Sequence, residues 1–287
     1  MTPPPRKTAH VITYDSLIAS SALPRVEARA LLEHASGRRR EWLIAHGDEE
    51  APEAVAAAFA ELARRRRAGE PLAYLVGWRE FHGRRFEVRE GILVPRADTE
   101  VAVRWACCAA PQGGRVLDLG TGSGAIAVSI ALERPDLAVE ATDASPVAVE
   151  IATRNAQALG APALRVRQGD WYAALDEDER FDLIVSNPPY LAAGDPHLAL
   201  GDLRHEPPSA LTDGADGLRA LAAIVAGAAA RLRTGGWLGL EHGWTQGPAV
   251  RGLLEDAGFG NVRTLRDDEE RERLTVGQAA GVPAQAR

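Results

Sequence analysis

Apolar and polar residues alternate along this chain in two rhythms. Over residues 13–70 apolar positions recur every three or four residues, as in Ser16-Leu17-Ile18-Ala19 and Val26-Glu27-Ala28-Arg29-Ala30-Leu31-Leu32. That spacing puts them on one face of a helix. Gly37 is a suitable helix stop, and residues 53–67 repeat the pattern with Val55, Phe59 and Leu62 on one face. A small helical bundle is expected here. Phe81-His82-Gly83-Arg84-Arg85-Phe86-Glu87-Val88 then alternates about a glycine, which predicts a β-hairpin, and Ile92-Leu93-Val94-Pro95-Arg96 closes it.

The second rhythm starts near residue 98. Arg115-Val116-Leu117-Asp118-Leu119 predicts a strand and residues 125–133 a helix. Leu137-Ala138-Val139-Glu140-Ala141-Thr142 predicts the next strand, followed by a helix over 146–159. Leu164-Arg165-Val166-Arg167 and Phe181-Asp182-Leu183-Ile184-Val185-Ser186 continue the series. An Ala-rich helix over about 216–233 leads to Trp237-Leu238-Gly239-Leu240-Glu241, and strands at 261–265 and 273–276 finish it. Repeated βα units predict a mainly parallel, doubly wound α/β sheet. The expected organisation is a helical domain over 1–75, a hairpin linker over 76–97, and an α/β domain over 98–287.

Composition narrows the function classes. The net charge is −7, with 46% hydrophobic and 25% charged residues, an ordinary soluble balance. No apolar run reaches the ~18 residues of a membrane span. Met1-Thr2-Pro3-Pro4-Pro5-Arg6-Lys7 lacks the apolar stretch of a signal peptide and reads as a short disordered lead. An acidic chain is a poor general nucleic-acid binder. Cys107 and Cys108 are the only cysteines and stand side by side in a predicted helix, so they are expected as buried or half-buried thiols. Without a Cys/His cluster no metal is expected, and a reducing, cytoplasmic setting fits.

The chemistry concentrates at strand ends. Asn187-Pro188-Pro189-Tyr190 follows the buried strand over 181–186. The prolines stiffen the turn and remove two donors, leaving carbonyls and the Asn amide as acceptors, and Tyr adds a flat face. Such a turn can hold an –NH2 group, although a plain proline-rich turn would look the same. Gly120-Thr121-Gly122-Ser123-Gly124 lies between strand and helix, where glycines let backbone approach a nucleotide-like ligand. It lacks the Gly-Lys-Ser/Thr ending of a P-loop, and its Gly-x-Gly-x-Gly spacing departs from the dinucleotide fingerprint. Asp143 ends the next strand, where a carboxylate accepts from both ribose hydroxyls; the alternative, a helix N-cap, suits Ser145 better. Asp170-Trp171 follows the third strand and pairs a carboxylate with an indole, or is a surface Asp beside a core Trp. All four lie at one edge of a parallel sheet, where ligands bind.

Asp118-Leu119-Gly120-Thr121-Gly122-Ser123-Gly124-Ala125-Ile126-Ala127 together with Ser186-Asn187-Pro188-Pro189-Tyr190 resembles S-adenosylmethionine-dependent methyltransferases that modify planar nitrogens. Within them the chain resembles the release-factor glutamine methyltransferases, the HemK/PrmC family. Gly77-Trp78-Arg79-Glu80-Phe81, Leu93-Val94-Pro95-Arg96-Ala97-Asp98-Thr99-Glu100, Asp195-Pro196-His197-Leu198, His205-Glu206-Pro207 and Leu240-Glu241-His242-Gly243-Trp244 carry the same likeness. It spans about residues 70–277. Ala97 stands where the family usually has Pro, and a looser turn is expected.

The resemblance implies a Rossmann-like methyltransferase domain with a seven-stranded, mainly parallel sheet, preceded by a helical domain that recognises the release factor. It implies that Gly120, Thr121, Gly122, Ser123 and Gly124 run beside the methionine part of S-adenosylmethionine. Asp143 would hold the ribose, and Asp170 and Trp171 would flank the adenine. Asn187 would meet both cofactor and acceptor. Asn187 and the Pro188 carbonyl would accept from the glutamine amide of the Gly-Gly-Gln loop of class I release factors, with Pro189 and Tyr190 packing beside it. Asn187, Pro188 and Tyr190 are the expected catalytic residues. Arg96, Glu206, Glu241 and His242 would lie near the pocket, though chemistry alone allows each to be a structural ion pair. Arg64, Arg65, Arg66 and Arg67 read as a solvated helix end or a partner contact. The expected partner is a release factor met by a monomer, without stable nucleic-acid binding or membrane association. Rival readings are an adenine-N6 methyltransferase on DNA or RNA, which uses a similar turn on a flipped base, a non-catalytic cofactor-binding scaffold, and a dehydrogenase.

Overall fold

The computed structural model describes residues 11–280. The lead expected at 1–7 lies outside the described residues. The chain divides after Gly77 into two units.

The first unit is helical: α1 (Tyr14–Ser20), α2 (Arg25–Ser36), α3 (Arg40–Ala45), α4 (Glu53–Arg67) and α5 (Leu72–Val76). Thr13 and Ser16 cap α1 reciprocally, each side chain accepting from the other's backbone N–H. Gly37, in the left-handed region, ends α2 as the sequence predicts. Leu31, Leu32, Leu43 and Phe59 are buried as the helical spacing requires. The arginine run at the end of α4 is engaged within this unit. Arg64 pairs with Glu61, Arg65 with Glu70, Arg66 with Glu27, and Arg67 donates to the Ser21 carbonyl. Of the two readings offered for it, these pairs favour a helix end that serves its own domain.

The second unit begins with the hairpin β1 (Trp78–Phe81) and β2 (Arg84–Glu87). Phe81 and Phe86 alternate inward into the main core. The hairpin therefore packs as part of the α/β unit. Asn155 fixes it, accepting from Glu87 N–H and donating to Glu87 C=O. A 3₁₀ turn, Ala97–Thr99, leads into α6 (Glu100–Ala109). At Ala97 that turn is closed by hydrogen bonds from Thr99 and Glu100 N–H. Then follow β3 (Arg115–Leu119), α7 (Ala125–Glu133), β4 (Ala138–Asp143), α8 (Pro146–Leu159), β5 (Arg165–Gln168) and β6 (Phe181–Ser186). The chain closes with α9 (Pro208–Leu211), α10 (Arg219–Arg231), β7 (Leu232–Glu241), α11 (Gly247–Asp256), β8 (Phe259–Arg266) and β9 (Glu272–Ala279).

Seven strands form one sheet in the order β5-β4-β3-β6-β7-β9-β8. β5 through β7 are parallel, and β9 enters antiparallel between β7 and β8. Apolar side chains pack on both faces, one cluster built around Val103, Val128 and Ile130, the other around Ile224, Val225 and Leu254. This two-sided burial is why β3 and β6 read as continuous apolar runs. β7 starts five residues earlier than the apolar run at 237–241 suggests, because Leu232 still pairs with Phe181 across a register shift. Of the two cysteines on α6, Cys107 is half-buried, but Cys108 is exposed, against the expectation. Its position turns it to the solvent stripe of an otherwise buried helix.

Candidate functional site

Strand order reverses between β3 and β6: from β3 the chain moves outward to β4 and β5, then returns to β6 on the other side. A crevice opens at such a switch point, outside the carboxyl ends of the strands. A cavity of about 270 Å³ lies there. Its wall takes residues from each strand end: Gly120, Thr121, Gly122 and Ser123 after β3, Asp143 at the end of β4, Asp170 and Trp171 after β5, and Asn187, Pro188 and Pro189 after β6. Ile92, Leu93, Pro95, Arg96 and Thr99 line it from the segment after the hairpin.

The glycine turn owes its shape to backbone constraints. Gly120 has φ +69°, and a Cβ there would lie 3.3 Å from the Trp171 ring. Gly124 has φ +81°, with Ala152 of α8 only 3.1 Å from where a Cβ would stand. Both need left-handed backbone and a close approach that only glycine allows. Gly124 therefore packs against α8 and does not line the cavity as Gly120 to Ser123 do. Asp143 Oδ2 accepts from Gly122 N–H at 2.9 Å, and its Oδ1 accepts from Ser145 N–H at 2.8 Å. Ser145 caps α8, so Asp143 is free of that duty. Burial pushes the Asp143 carboxyl above its usual range, and the two N–H donors oppose that.

Beneath the turn stands a residue that sequence reasoning left inside a strand. Asp118 is wholly buried. Its Oδ2 accepts from Thr121 Oγ1 at 2.6 Å and Ala127 N–H at 3.2 Å, while Oδ1 has no hydrogen-bond partner among the described residues. Burial raises it to about 7, against the hydrogen bonds. The signal was present: a charged residue in Val116-Leu117-Asp118-Leu119, an otherwise apolar strand.

The turn after β6 presents Asn187, Pro188 and Pro189 to the cavity. Asn187 Nδ2 donates to Thr99 Oγ1 at 3.1 Å. Tyr190 is not in the cavity wall; it packs into the second core cluster, and its carbonyl accepts from Gln246 Nε2 at 3.0 Å. Burial pushes its phenol above the ordinary range, and Glu241 adds to the rise. Behind Asn187 lies Glu241, fully buried at the end of β7. Burial raises its carboxyl to about 8; Thr99, Arg273 and Asn187 oppose this.

Arg96 and Glu206 form an ion pair in which Glu206 is buried and Arg96 reaches the cavity. Glu206 Oε2 also accepts from Val94 N–H at 3.1 Å. That clasp ties the 91–96 segment to the segment before α9. His242 is buried away from the cavity, its Nε2 2.7 Å from Thr275 Oγ1. Burial lowers its pKa, so it stays neutral. Among the described residues no group of three or more His, Cys, Asp or Glu could hold a metal ion, and no helix is long and apolar enough to cross a membrane.

The model of the methyltransferase small domain matches residues 102–216, and that of the PrmC N-terminal domain matches residues 15–77. The release factor glutamine methyltransferase of Bordetella pertussis is 53% identical over 266 residues, covering 91% of this chain and 97% of that protein. The protein of the same name from Escherichia coli is 44% identical over 264 residues, covering 92% and 95%. A methyltransferase structure from Pyrococcus furiosus superposes with a TM-score of 0.54 at 17% identity, over 77% of this chain and 99% of that one, a likeness of fold.

Proposed function

The chain belongs to the release factor glutamine methyltransferase family, and we propose that it transfers a methyl group from S-adenosylmethionine to the side-chain amide nitrogen of the glutamine in the Gly-Gly-Gln loop of class I peptide release factors. The observation that carries this reading is the convergence of a nucleoside-sized cradle and an amide-accepting turn in one cavity.

The cradle fits the cofactor. Asp143 has lone pairs left for two ribose hydroxyls beyond the N–H groups it holds. Trp171 offers a planar wall for adenine and Asp170 an acceptor for its amino group. Residues 120–123 bring backbone without side-chain bulk to the methionine end, and Gly124 fixes the turn against α8. When bound, the cofactor supplies an electrophilic methyl group on a sulfonium sulfur.

The protein's part is orientation. An amide nitrogen is a weak nucleophile because its lone pair is delocalised. Asn187 Oδ1 and the Pro188 carbonyl accept its two hydrogens and fix it in near-attack geometry. The same acceptors stabilise the positive charge that grows on nitrogen as the sulfur–methyl bond gives way to the nitrogen–methyl bond; the nitrogen would then release its extra proton to water, with the neutral thioether S-adenosylhomocysteine as the by-product. Pro189 stiffens the turn. Tyr190, expected beside the acceptor, supports it from behind through its packing. Arg96 and Glu206 hold the opposite wall and help exclude water.

The helical unit serves as the recognition element for the release factor, and the enzyme works as a cytoplasmic monomer without stable nucleic-acid binding; the net charge of −7 supports the last point. Labelled methyl transfer to a purified class I release factor tests the function. Incorporation is expected with the native loop and is lost when its glutamine is replaced by alanine. Equal labelling of both would defeat the reading.

A further inference from the structure

Asn187 can orient an acceptor only if its amide is held one way round. Turned over, it would present NH2 to the substrate's own NH2, two donors facing each other. The structure gives Asn187 a fixed orientation. Its Nδ2 donates to Thr99 Oγ1 at 3.1 Å, and Glu241 lies against both side chains. Thr99 and Glu241 are both buried, so water does not compete for these contacts. Oδ1 accepts from none of the described residues and is left for the acceptor.

We propose that Glu241 is the positioning residue for the acceptor amide: its buried carboxylate, with Thr99, draws the Asn187 NH2 to the protein side and leaves Oδ1 facing the acceptor nitrogen. This rests on the proposed methyl transfer. A carboxylate accepts only, so it requires donors from its neighbours, and Thr99 O–H and Asn187 NH2 supply them. A protonated carboxyl can itself donate, and it then tolerates the reversed amide. Among the described residues Glu241 Oε2 has no hydrogen-bond partner, so no other group competes with Thr99 and Asn187 for this carboxyl. The groups that face Glu241 from neighbouring elements are Arg273 on β9, Asp98 in the turn before α6, and Tyr190 after β6. Arg273 is itself paired with Asp98 at 2.9 Å and Asp267 at 3.3 Å. Ionisation of Glu241, whose pKa burial raises to about 8, would therefore firm the orientation of the amide.

The test compares wild type with Glu241→Gln in the full chain. The wild-type kcat is expected to rise through about pH 8 while cofactor affinity stays level. Glu241→Gln keeps the size but restores a donor; above pH 8 its kcat is expected to lie roughly 10- to 100-fold below wild type, as for loss of an orienting partner, and to lose the pH rise. Cofactor affinity by calorimetry should be unchanged. A second readout needs no turnover: the Asn187 side-chain amide resonances in ¹⁵N-labelled protein should shift through the same pH in wild type and stay still in the variant. Thr99→Ser should keep activity and Thr99→Val lose it, which decides the matter if Glu241→Gln does not fold. A wild-type pH profile and full kcat in Glu241→Gln, or Asn187 resonances indifferent to pH in wild type, would overturn the inference. Failure of wild type to label any release factor would instead overturn the functional reading, with the amide resonances still deciding the role of Glu241.

Discussion

Two carboxylates, one in the cavity wall and one buried beneath the glycine turn, have different environments. Asp143 keeps two N–H donors and faces the cavity. Replacing it with alanine should weaken cofactor binding by roughly 1.5–3 kcal/mol, the range for hydrogen bonds to a charged group, read by calorimetry. Asn187→Ala should leave that affinity nearly intact while lowering kcat by about 10²–10³, the range for losing one preorganised polar group. Asp118 is buried with one oxygen unpartnered, and its pKa is raised to about 7. A carboxyl whose folded pKa exceeds its unfolded value of ~3.9 binds more protons in the native state, so its contribution to stability falls as pH rises from about 4 to 7. Asp118→Asn, which can still accept from Thr121 and Ala127, should therefore raise Tm at pH 8 and raise it less at pH 5. Equal shifts at both pH values in scanning calorimetry would contradict the burial argument.

At the scale of elements, β3, β4 and β6 are buried on both faces, which fixes the strand ends that build the cavity wall. Gly239 in β7 shows how tight this is: a Cβ there would stand 2.2 Å from the Trp105 ring of α6. Gly239→Ala should destabilise the α/β unit by about 1–3 kcal/mol through overpacking, seen as a lower midpoint in denaturant titration. The strands β3, β4 and β6, the helices between them and the four-part strand-end pattern were legible in the sequence, since two-sided burial writes apolar runs and turns write glycine and proline; the edge strand β5 showed only as the alternation Leu164-Arg165-Val166-Arg167. The start of β7 was not, because Arg233-Thr234-Gly235-Gly236 reads as a turn; these residues form the register shift between the Leu232 and Trp237 pairings with β6. The hairpin read as a linker for a similar reason: local alternation marks strands but cannot show that Phe81 and Phe86 enter a core whose other members run from Val101 to Val276. Asn187 was legible from its prolines. Thr99 was not, because a single threonine after a turn carries no local signal, and only the fold brings it to Asn187.

At the scale of the molecule, the residues that line the candidate cavity all belong to the α/β unit, and recognition is proposed for the helical unit. Amide hydrogen exchange of the full chain with and without a release factor should show protection in helices within residues 14–76; no change there would remove the recognition role. The arginine run of α4 is committed to Glu27, Glu61 and Glu70, so protection should not centre on it. The cavity at the carboxyl ends of β3 to β6 is proposed to direct a methyl group to one glutamine nitrogen. Peptide mapping by mass spectrometry, after incubation of a class I release factor with S-adenosylmethionine and this enzyme, tests it most directly. A single methyl group on the side-chain nitrogen of the Gly-Gly-Gln glutamine, absent with Asn187→Ala, is the predicted result. Methylation at another residue, or of adenine in added nucleic acid with the glutamine untouched, would contradict it.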